Sequence, residues 1–185
     1  KSYAIEIAGV NRNLPLCPLN ENLYIGAFIM FGDVELTEKC AKALCEKAPE
    51  HDIMITAESK GIPLIYEMAR QMGNGMKYIV ARKSVKLYMK DPIGVNVKSI
   101  TTANEQKLYL DRDEANYLKG KRVLIVCDVI STGESLEALK KLVNAAGGEI
   151  VGLAAGLAEG DAAERDDLIF LEKLPLFDAE GNILE

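Results

Sequence analysis

Hydrophobic residues along this chain follow two periods that alternate. Short apolar runs rich in Val and Ile predict buried strands, and the apolar residues between them recur every three or four positions, as on one face of a helix. This alternation is typical of a mostly parallel sheet flanked by helices. The predicted strands cover residues 53–56, 78–81, 123–127, 150–154 and 168–171.

Three apolar stripes predict the helices. They cover residues 36–48, 62–72 and 136–146. Gly73 follows the second stripe and Gly147 the third, and glycine readily ends a helix in a left-handed conformation. Cys40 and Cys45 lie on the first stripe, so we expect them in the core and not in a metal site.

Other parts of the chain lack a helical period. Residues 1–35 have no single period and contain Pro15 and Pro18, which predicts an irregular cap on the α/β core. The region after Gly160 is interpreted in the same way. Residues 86–110 contain two alternating runs around a polar turn, a pattern that predicts a projecting β-hairpin. Without a repeat or a linker, residues 1–185 form one predicted domain.

Composition excludes several classes of function. The 22 Lys and Arg residues against 28 Asp and Glu give a net charge of −6, so no general field attracts nucleic acid. No apolar run approaches the roughly 20 residues of a membrane helix, and we expect neither a membrane nor a secreted role. The four cysteines form no Cys-x-x-Cys pair, which favours reduced thiols in a cytoplasmic protein. The single histidine, His51, leaves no obvious Ser/His/Asp triad.

The most informative segment covers residues 123–135. Its apolar strand ends in Asp128 and turns through Ser-Thr-Gly into a helix, where unpaired N–H groups and the helix dipole favour an anion. Asp128 is placed to accept hydrogen bonds from ligand hydroxyls. The candidate phosphate-binding residues are Ser131, Thr132, Gly133, Glu134 and Ser135.

The same turn has a second interpretation. Ser131 and Glu134 fit the Ser-x-x-Glu capping box, which satisfies helix N-terminal amides without any ligand. Both interpretations remain open from this segment alone.

A second strand-to-helix junction carries positive charge. Residues 56–62 place Ser59, Lys60 and Gly61 between a strand and a helix, and the next strand ends in Arg82 and Lys83, with Lys86 three residues on. Such cations are often solvated surface charges. Beside a Lys-Gly turn, however, they form a candidate anion clamp. A sugar with a monophosphate at one end and a pyrophosphate at the other would match both junctions.

These segments together resemble the type I phosphoribosyltransferases. Residues 123–135 are similar to the ribose-phosphate signature of that family, residues 58–61 to its pyrophosphate loop, and residues 86–110 to its flexible hairpin lid. The Glu-Ser-Lys-Gly loop and the Arg-Lys pair point to its adenine branch. In that branch the N-terminal segment forms a hood over the base. By this resemblance residues 1–35 are the predicted hood, and Asn11, Arg12 and Leu14 are the predicted base-binding residues.

The resemblance implies a reaction. 5-Phosphoribosyl-1-pyrophosphate (PRPP) would react with adenine or a related purine to give a nucleoside 5′-monophosphate and pyrophosphate. Lys60, Arg82 and Lys86 would stabilise the departing pyrophosphate, with Ser59, Gly61 and Lys83 in the same site. Mg²⁺ would come with PRPP, reached by Asp128 directly or through water, and no further metal ligand is predicted. A homodimer is also expected.

Three positions depart from the family pattern. Cys127 replaces the first of two usual acidic residues, Glu134 replaces a residue that is often glycine, and Thr102 occupies the place of a lid glutamate that exchanges a proton with the purine. Glu105 is therefore our candidate for proton transfer, beside Asp128 as the second catalytic candidate. Two alternatives stay open: a non-catalytic protein that binds PRPP or a nucleotide, and an enzyme for xanthine or guanine.

Overall fold

The computed structural model describes residues 1–98 and 105–184, and its elements alternate as the hydrophobic pattern predicts. No helix in this part of the chain has the length and apolar character needed to cross a membrane. The elements are β1 (Ser2–Ile7), β2 (Val10–Pro18), β3 (Tyr24–Gly26), α1 (Val34–Lys47), β4 (Ile53–Ala57), α2 (Ile62–Met72), β5 (Lys77–Ala81), β6 (Ile93–Lys98), β7 (Glu105–Leu110), α3 (Arg112–Leu118), β8 (Arg122–Ile130), α4 (Glu134–Ala145), β9 (Glu149–Glu159), a 3-10 helix (Gly160–Glu164) and β10 (Ile169–Leu174).

Five strands form a parallel sheet in the order β10-β9-β8-β4-β5. All five predicted strands are present, although β8, β9 and β10 run beyond their predicted ends. The chain builds outward from β4 to β5, then crosses back to place β8 on the other side of β4. This reversal is a topological switch point, and in open α/β sheets ligands bind outside the carboxyl ends of the strands at such a point.

Both faces of the sheet are covered. Ile53 and Ile55 of β4 belong to a core shared with α3, α4 and the strands β6 and β7. Met54, between them, faces the opposite side, where α1, α2 and the N-terminal strands pack. Successive strand residues point to opposite faces, so a strand buried on both sides is almost continuously apolar.

The three predicted helices are confirmed as α1, α2 and α4, and α3 is additional. This helix has only seven residues, too few to show a period. It begins with a capping box in which Asp111 and Glu114 satisfy each other's backbone amides.

Residues 1–35 pack on the core as predicted, but the prediction that they are irregular is wrong, because residues 2–26 form the antiparallel sheet β1-β2-β3. Ile5, Ile7, Val10 and Leu14 are buried. A tight turn at Ala8 and Gly9, both with positive φ, shifts the alternation between the two strands, so no single period spans them. The tail after Gly160 is likewise ordered, as a 3-10 helix and β10.

The predicted hairpin is present in its two strands. β6 and β7 pair antiparallel from Ile93↔Leu110 to Lys98↔Glu105. The described strands do not project, however, because Leu108 and Leu110 are buried in the core and the strands contact α4. Tyr109 also bridges to Arg82, which ties the hairpin to the end of β5. Thr102 lies outside the described residues.

Candidate functional site

Two cavities meet at the carboxyl ends of β4 and β8, at the switch point of the sheet. The first, of about 230 Å³, lies between the β4–α2 junction and the end of β8. The second, of about 190 Å³, surrounds the β8–α4 turn. Their shared lining consists of Gln106, Cys127, Val129 and Ser135. The two candidate anion sites of the sequence are therefore neighbours in space.

The β4–α2 junction is held in shape by its own contacts. Glu58 accepts a hydrogen bond from the Lys83 backbone N–H at 2.7 Å, and its Oε2 lies 3.2 Å from Arg82 Nε. These contacts lower the pKa of Glu58, with the Lys83 amide as the largest cause. A Cβ on Gly61 would lie 2.7 Å from Thr56 Oγ1, so only glycine fits where the loop meets the strand.

The predicted basic cluster divides into two groups. Lys60 and Lys83 line the first cavity together with Ser59 and Gly61. Arg82 instead pairs with Glu58 and donates to the Tyr88 hydroxyl at 2.7 Å. Lys86 donates to Ser84 Oγ at 2.9 Å, and neither Arg82 nor Lys86 contributes to the cavity lining.

Asp128 lines the first cavity opposite these lysines. Burial raises the pKa of its carboxyl group, an effect that the Val129 amide and the charge of Lys60 only partly offset. Its backbone is fixed by β9, because a Cβ on Gly156 would lie 2.9 Å from the Asp128 carbonyl oxygen. The carboxylate thus lies close enough to Lys60 to interact with its charge.

Cys127 is buried in the wall between the cavities. Burial, and to a smaller extent the charge of Asp128, raises the pKa of its thiol to about 12. The side chain is therefore a neutral thiol at pH 7 and cannot replace a carboxylate.

The β8–α4 turn decides between the two interpretations of its sequence. Gly133, with φ of 83°, is the N-cap of α4, and no side chain caps the helix. Since a capping box would require Ser131 at the N-cap, that interpretation is wrong. The Ser131 hydroxyl instead donates to Glu159, and the helix N-terminus opens into the second cavity. That cavity is lined by Ser131, Thr132, Gly133, Glu134 and Ser135.

Sequence analysis did not identify three residues near the site. Glu159, at the end of β9, is buried beneath the turn, and burial raises its pKa. Arg165 Nη1 lies 3.0 Å from where a Cβ on Gly133 would stand, and the guanidinium pairs with Asp167 at 2.8 Å. Neither residue belongs to a local motif.

Gln106 could have been found from the sequence, because the alternation of β7 places it on the face of Leu108 and Leu110.

The other predicted site residues lie apart from the cavities. Glu105 is on the outward face of β7 and accepts a hydrogen bond from Asn96 Nδ2 at 2.9 Å. Arg12 pairs with Asp33 at 2.8 Å and with Glu35 at 3.0 Å. Leu14 is buried in the core and Asn11 is exposed on β2, and neither they nor Arg12 line either cavity. Roles in proton transfer and base binding stay predictions.

No group of three or more His, Cys, Asp or Glu side chains that could hold a metal ion occurs within residues 1–98 and 105–184.

Comparisons with known proteins agree with this geometry. A family model described as "Phosphoribosyl transferase domain" matches residues 35–176. The adenine phosphoribosyltransferase of Thermotoga petrophila is 30% identical over 145 residues, which cover 77% of this chain and 81% of that protein. The hypoxanthine/guanine phosphoribosyltransferase of Methanococcus voltae is 35% identical over 62% of this chain and 56% of its own.

A solved structure shares the fold. The adenine phosphoribosyltransferase of Thermoanaerobacter pseudethanolicus superposes with a TM-score of 0.72 at 19% identity, over 86% of this chain and 95% of that one.

Proposed function

Because the chain belongs to the phosphoribosyltransferase family, we propose that it transfers the 5-phosphoribosyl group of PRPP to adenine or a related purine, releasing pyrophosphate. One observation carries the proposal: a cationic cavity and a hydroxyl-lined cavity share a wall at the switch point of the sheet. A ribose with a phosphate at each end spans such a pair of sites, and its two phosphate groups need different partners.

The first cavity suits the pyrophosphate. Lys60 and Lys83 line it, and the β4–α2 loop brings its backbone close to the end of β8. In the reaction the bond between C1 and the pyrophosphate oxygen breaks as a purine nitrogen forms a bond to C1. Negative charge grows on the departing group, and fixed cations stabilise it most at that moment. Arg82 acts indirectly. It pairs with the Glu58 carboxylate, which also accepts a hydrogen bond from the Lys83 backbone amide.

The second cavity suits the 5′-phosphate. Gly133 lets the chain turn without a side chain over the helix N-terminus, where backbone amides and the helix dipole favour an anion. Thr132 and Ser135 add hydroxyl donors. Asp128, in the lining of the first cavity, accepts hydrogen bonds from the ribose hydroxyls and stabilises positive charge at C1 by its own negative charge.

Magnesium fits this donor set as an ion carried by PRPP. Mg²⁺ prefers oxygen ligands and is commonly held by one or two carboxylates together with substrate phosphates. Asp128 is the residue that would hold it, directly or through water. When bound, the ion supplies charge neutralisation on the departing pyrophosphate.

The base-binding and proton-transfer residues rest on the resemblance to the family, because none of them lines either cavity. We propose that the N-terminal segment, with Asn11, Arg12 and Leu14, covers the base, and that the β6–β7 hairpin forms the remaining wall. Leu108 of the hairpin lines the first cavity. Glu105 is the candidate for proton transfer from the sequence, but its side chain accepts a hydrogen bond from Asn96 on the face of β7 that points away from both cavities, which argues against a large contribution to the rate.

The test is product formation with PRPP, Mg²⁺ and each of adenine, hypoxanthine, guanine and xanthine, followed by separation of the nucleotides. Adenosine monophosphate with release of pyrophosphate is the expected result. Faster product formation from guanine or xanthine would assign a different base to the same chemistry.

A second candidate is a non-catalytic protein that binds PRPP or a nucleotide. The neutral thiol of Cys127, beside Asp128, favours it, because one negative charge fewer faces the ribose. Tight binding of PRPP by calorimetry, with no product from any of the four bases, would select this alternative.

We also propose a homodimer. An apolar groove of about 420 Å³ contains Phe31, Val34 and Tyr66, which are 52%, 68% and 55% exposed. Ser59 lines both this groove and the first cavity, so a second copy seated here would abut the pyrophosphate loop. Sedimentation of the wild type and of Tyr66→Glu tests it, with a shift from dimer to monomer expected in the variant. A monomeric wild type would contradict it.

A cytoplasmic location is proposed as well. Its support is the set of free thiols at Cys17, Cys40, Cys45 and Cys127, none of which forms a disulfide in the described part of the chain.

A further inference from the structure

We propose that Gln106 is a phosphate-binding residue, whose side-chain amide donates a hydrogen bond to a phosphoryl oxygen of the ligand. This inference deepens the proposed function, because it adds a binding residue carried by the hairpin to a site otherwise built from the sheet. It rests on three observations: the face of β7 on which Gln106 lies, its place in the cavity walls, and the lack of a protein partner.

The pleat of β7 fixes the direction of the side chain. Leu108 and Leu110 are buried in the core, and Gln106 precedes them at the spacing of two that keeps residues on one face. Glu105 and Lys107 point the other way, and their charged groups lie 3.9 Å apart on the exposed face. Only Gln106 among these three is turned toward the sheet.

Gln106 occupies the wall between the cavities. It lines both, together with Cys127, Val129 and Ser135. Of those neighbours, Cys127 is a neutral thiol and Val129 is apolar, so the hydrogen-bonding side chains of the shared wall are Gln106 and Ser135. A ligand that spans the cavities has to pass this wall.

The amide has no other use in the described structure. Within residues 1–98 and 105–184, no protein group forms a hydrogen bond with the Gln106 side chain, although its backbone pairs with Val97. Because the side chain is only half-buried and lines both cavities, its amide is accessible to a group that occupies them. An anion in either cavity would supply the acceptor.

A neutral donor suits this position. The pyrophosphate side already has Lys60 and Lys83, and the 5′-phosphate side has a helix N-terminus and hydroxyls. The amide group of glutamine can donate to an anionic oxygen without adding a charge that must be desolvated. A carboxylate of the same size in its place would repel the phosphate.

The experiment compares two substitutions of Gln106 with one on the opposite face. Gln106→Glu keeps the size and turns a donor into an anion, whereas Gln106→Leu keeps the bulk and removes the hydrogen bond. Lys107→Gln is the matched control, because it changes the net charge by the same −1 as Gln106→Glu on the outward face of β7. Calorimetry measures ribose 5-phosphate and inorganic pyrophosphate separately, and thermal unfolding checks that each variant folds.

We expect Gln106→Glu to lower the affinity for at least one of the two ligands by about tenfold or more. Gln106→Leu should lower the affinity for the same ligand by a smaller factor. Lys107→Gln should stay within about twofold of the wild type, as a distant exposed charge does. A loss of affinity for ribose 5-phosphate would show that Gln106 binds the 5′-phosphate. A loss of affinity for pyrophosphate would show that it binds the pyrophosphate group.

Three results would overturn the inference. One is unchanged affinity of folded Gln106→Glu for both ligands, another is an equal loss in Lys107→Gln, and the third is a wild type that binds neither ligand. Transferase activity is a separate outcome. A wild type that binds ribose 5-phosphate through Gln106 yet makes no nucleotide would support this inference and contradict the proposed reaction.

Discussion

The two strand-to-helix junctions occupy equivalent places in the sheet and offer different chemistry to the two anionic groups of the proposed substrate. After β4 the chain presents Lys60 in a loop fixed by Glu58 and by the close approach of Gly61 to Thr56. After β8 it presents hydroxyls and the N-terminus of α4 behind Gly133. The first junction relies on formal charge and the second on dipoles.

This difference has a chemical reason in the proposed reaction. The pyrophosphate leaves and its charge grows in the transition state, so full positive charges nearby accelerate the reaction. The 5′-phosphate keeps its charge throughout and only needs to be held in place. The two sites therefore contribute to different quantities, the rate at one end and the position of the sugar at the other.

The largest expected effect breaks the first junction alone. Gly61→Ala places a Cβ 2.7 Å from Thr56 Oγ1 and 3.5 Å from the Asp128 backbone nitrogen, so the loop must move. We expect pyrophosphate affinity to fall by about 100-fold, the scale of a misplacement near 1 Å, with ribose 5-phosphate affinity nearly unchanged. Calorimetry with both ligands measures this.

Adding Thr56→Ala to Gly61→Ala is the control. Removal of the hydroxyl opens the space that the new methyl group needs, so part of the pyrophosphate affinity should return. Equal losses for both ligands, without recovery in the double variant, would mean that the junctions do not act separately.

A smaller effect separates the two junctions by their chemistry. Lys60→Ala should lower the affinity for pyrophosphate by about tenfold and the affinity for a nucleoside monophosphate far less. Ser135→Ala should lower the affinity for ribose 5-phosphate by about threefold to tenfold. Raising the salt concentration should reduce the loss in Lys60→Ala more than the loss in Ser135→Ala, since salt screens formal charges. Proportional losses in both variants for every ligand would remove the two-site assignment.

Carboxyl groups at the two ends of the central strands should affect stability in opposite directions. Burial raises the pKa of Asp128, so its ionisation destabilises the folded state at neutral pH; Asp128→Asn should therefore raise the melting temperature at pH 7. The gain should vanish below pH 3.8, where the carboxyl group is protonated in both folded and unfolded chains. Activity should fall in the same variant.

Asp52 provides the opposite sign. Asp52 lies at the amino-terminal end of β4, where Arg122 lowers the pKa of its carboxyl group to about 2. Asp52→Asn should therefore lower the melting temperature at pH 7. That loss should fade as the pH falls from 3.8 toward 2. Melting curves from pH 2 to 7 test both variants, and shifts of the same sign would contradict the assignment.

The smallest expected effect is in the hairpin. Glu105 faces away from both cavities and pairs with Asn96, so Glu105→Gln should change the turnover rate by less than about threefold. Asn96→Ala, which releases the Glu105 side chain, is the matched variant. A fall of about 100-fold in Glu105→Gln, with a lost limb in the pH profile, would instead support proton transfer by Glu105.

Sequence patterns were sufficient for the sheet and for the two junctions, because each is a local signal of a few residues. They failed where the signal is not local. The turn at Ala8 and Gly9 shifts the alternation of β1 and β2, and α3 is too short to show a period. In these places the tertiary contacts, and not the period, determine the structure.

The same limit applies within the site. Lys60 and Asp128 were identified from the turns in which they lie. Glu159 and Arg165 come close to the β8–α4 turn only through the pairing of β9 with β8, which no stretch of sequence near residue 131 encodes. The separation of Arg82 from the cavity likewise depends on its ion pair with Glu58, a contact between distant residues.

The pairing of β4 with β8 has a consequence for how the protein folds. Asp52 accepts a hydrogen bond from the backbone of Arg122 across 70 residues of chain, and the parallel register continues from Ile53↔Val123 toward the site. Closing so long a loop costs entropy before any contact compensates for it, so this pairing belongs to the slow steps of folding. A chain that has formed only the β4-α2-β5 unit has only the first half of the proposed site. We therefore expect ligand affinity to appear only when the two halves of the sheet have joined.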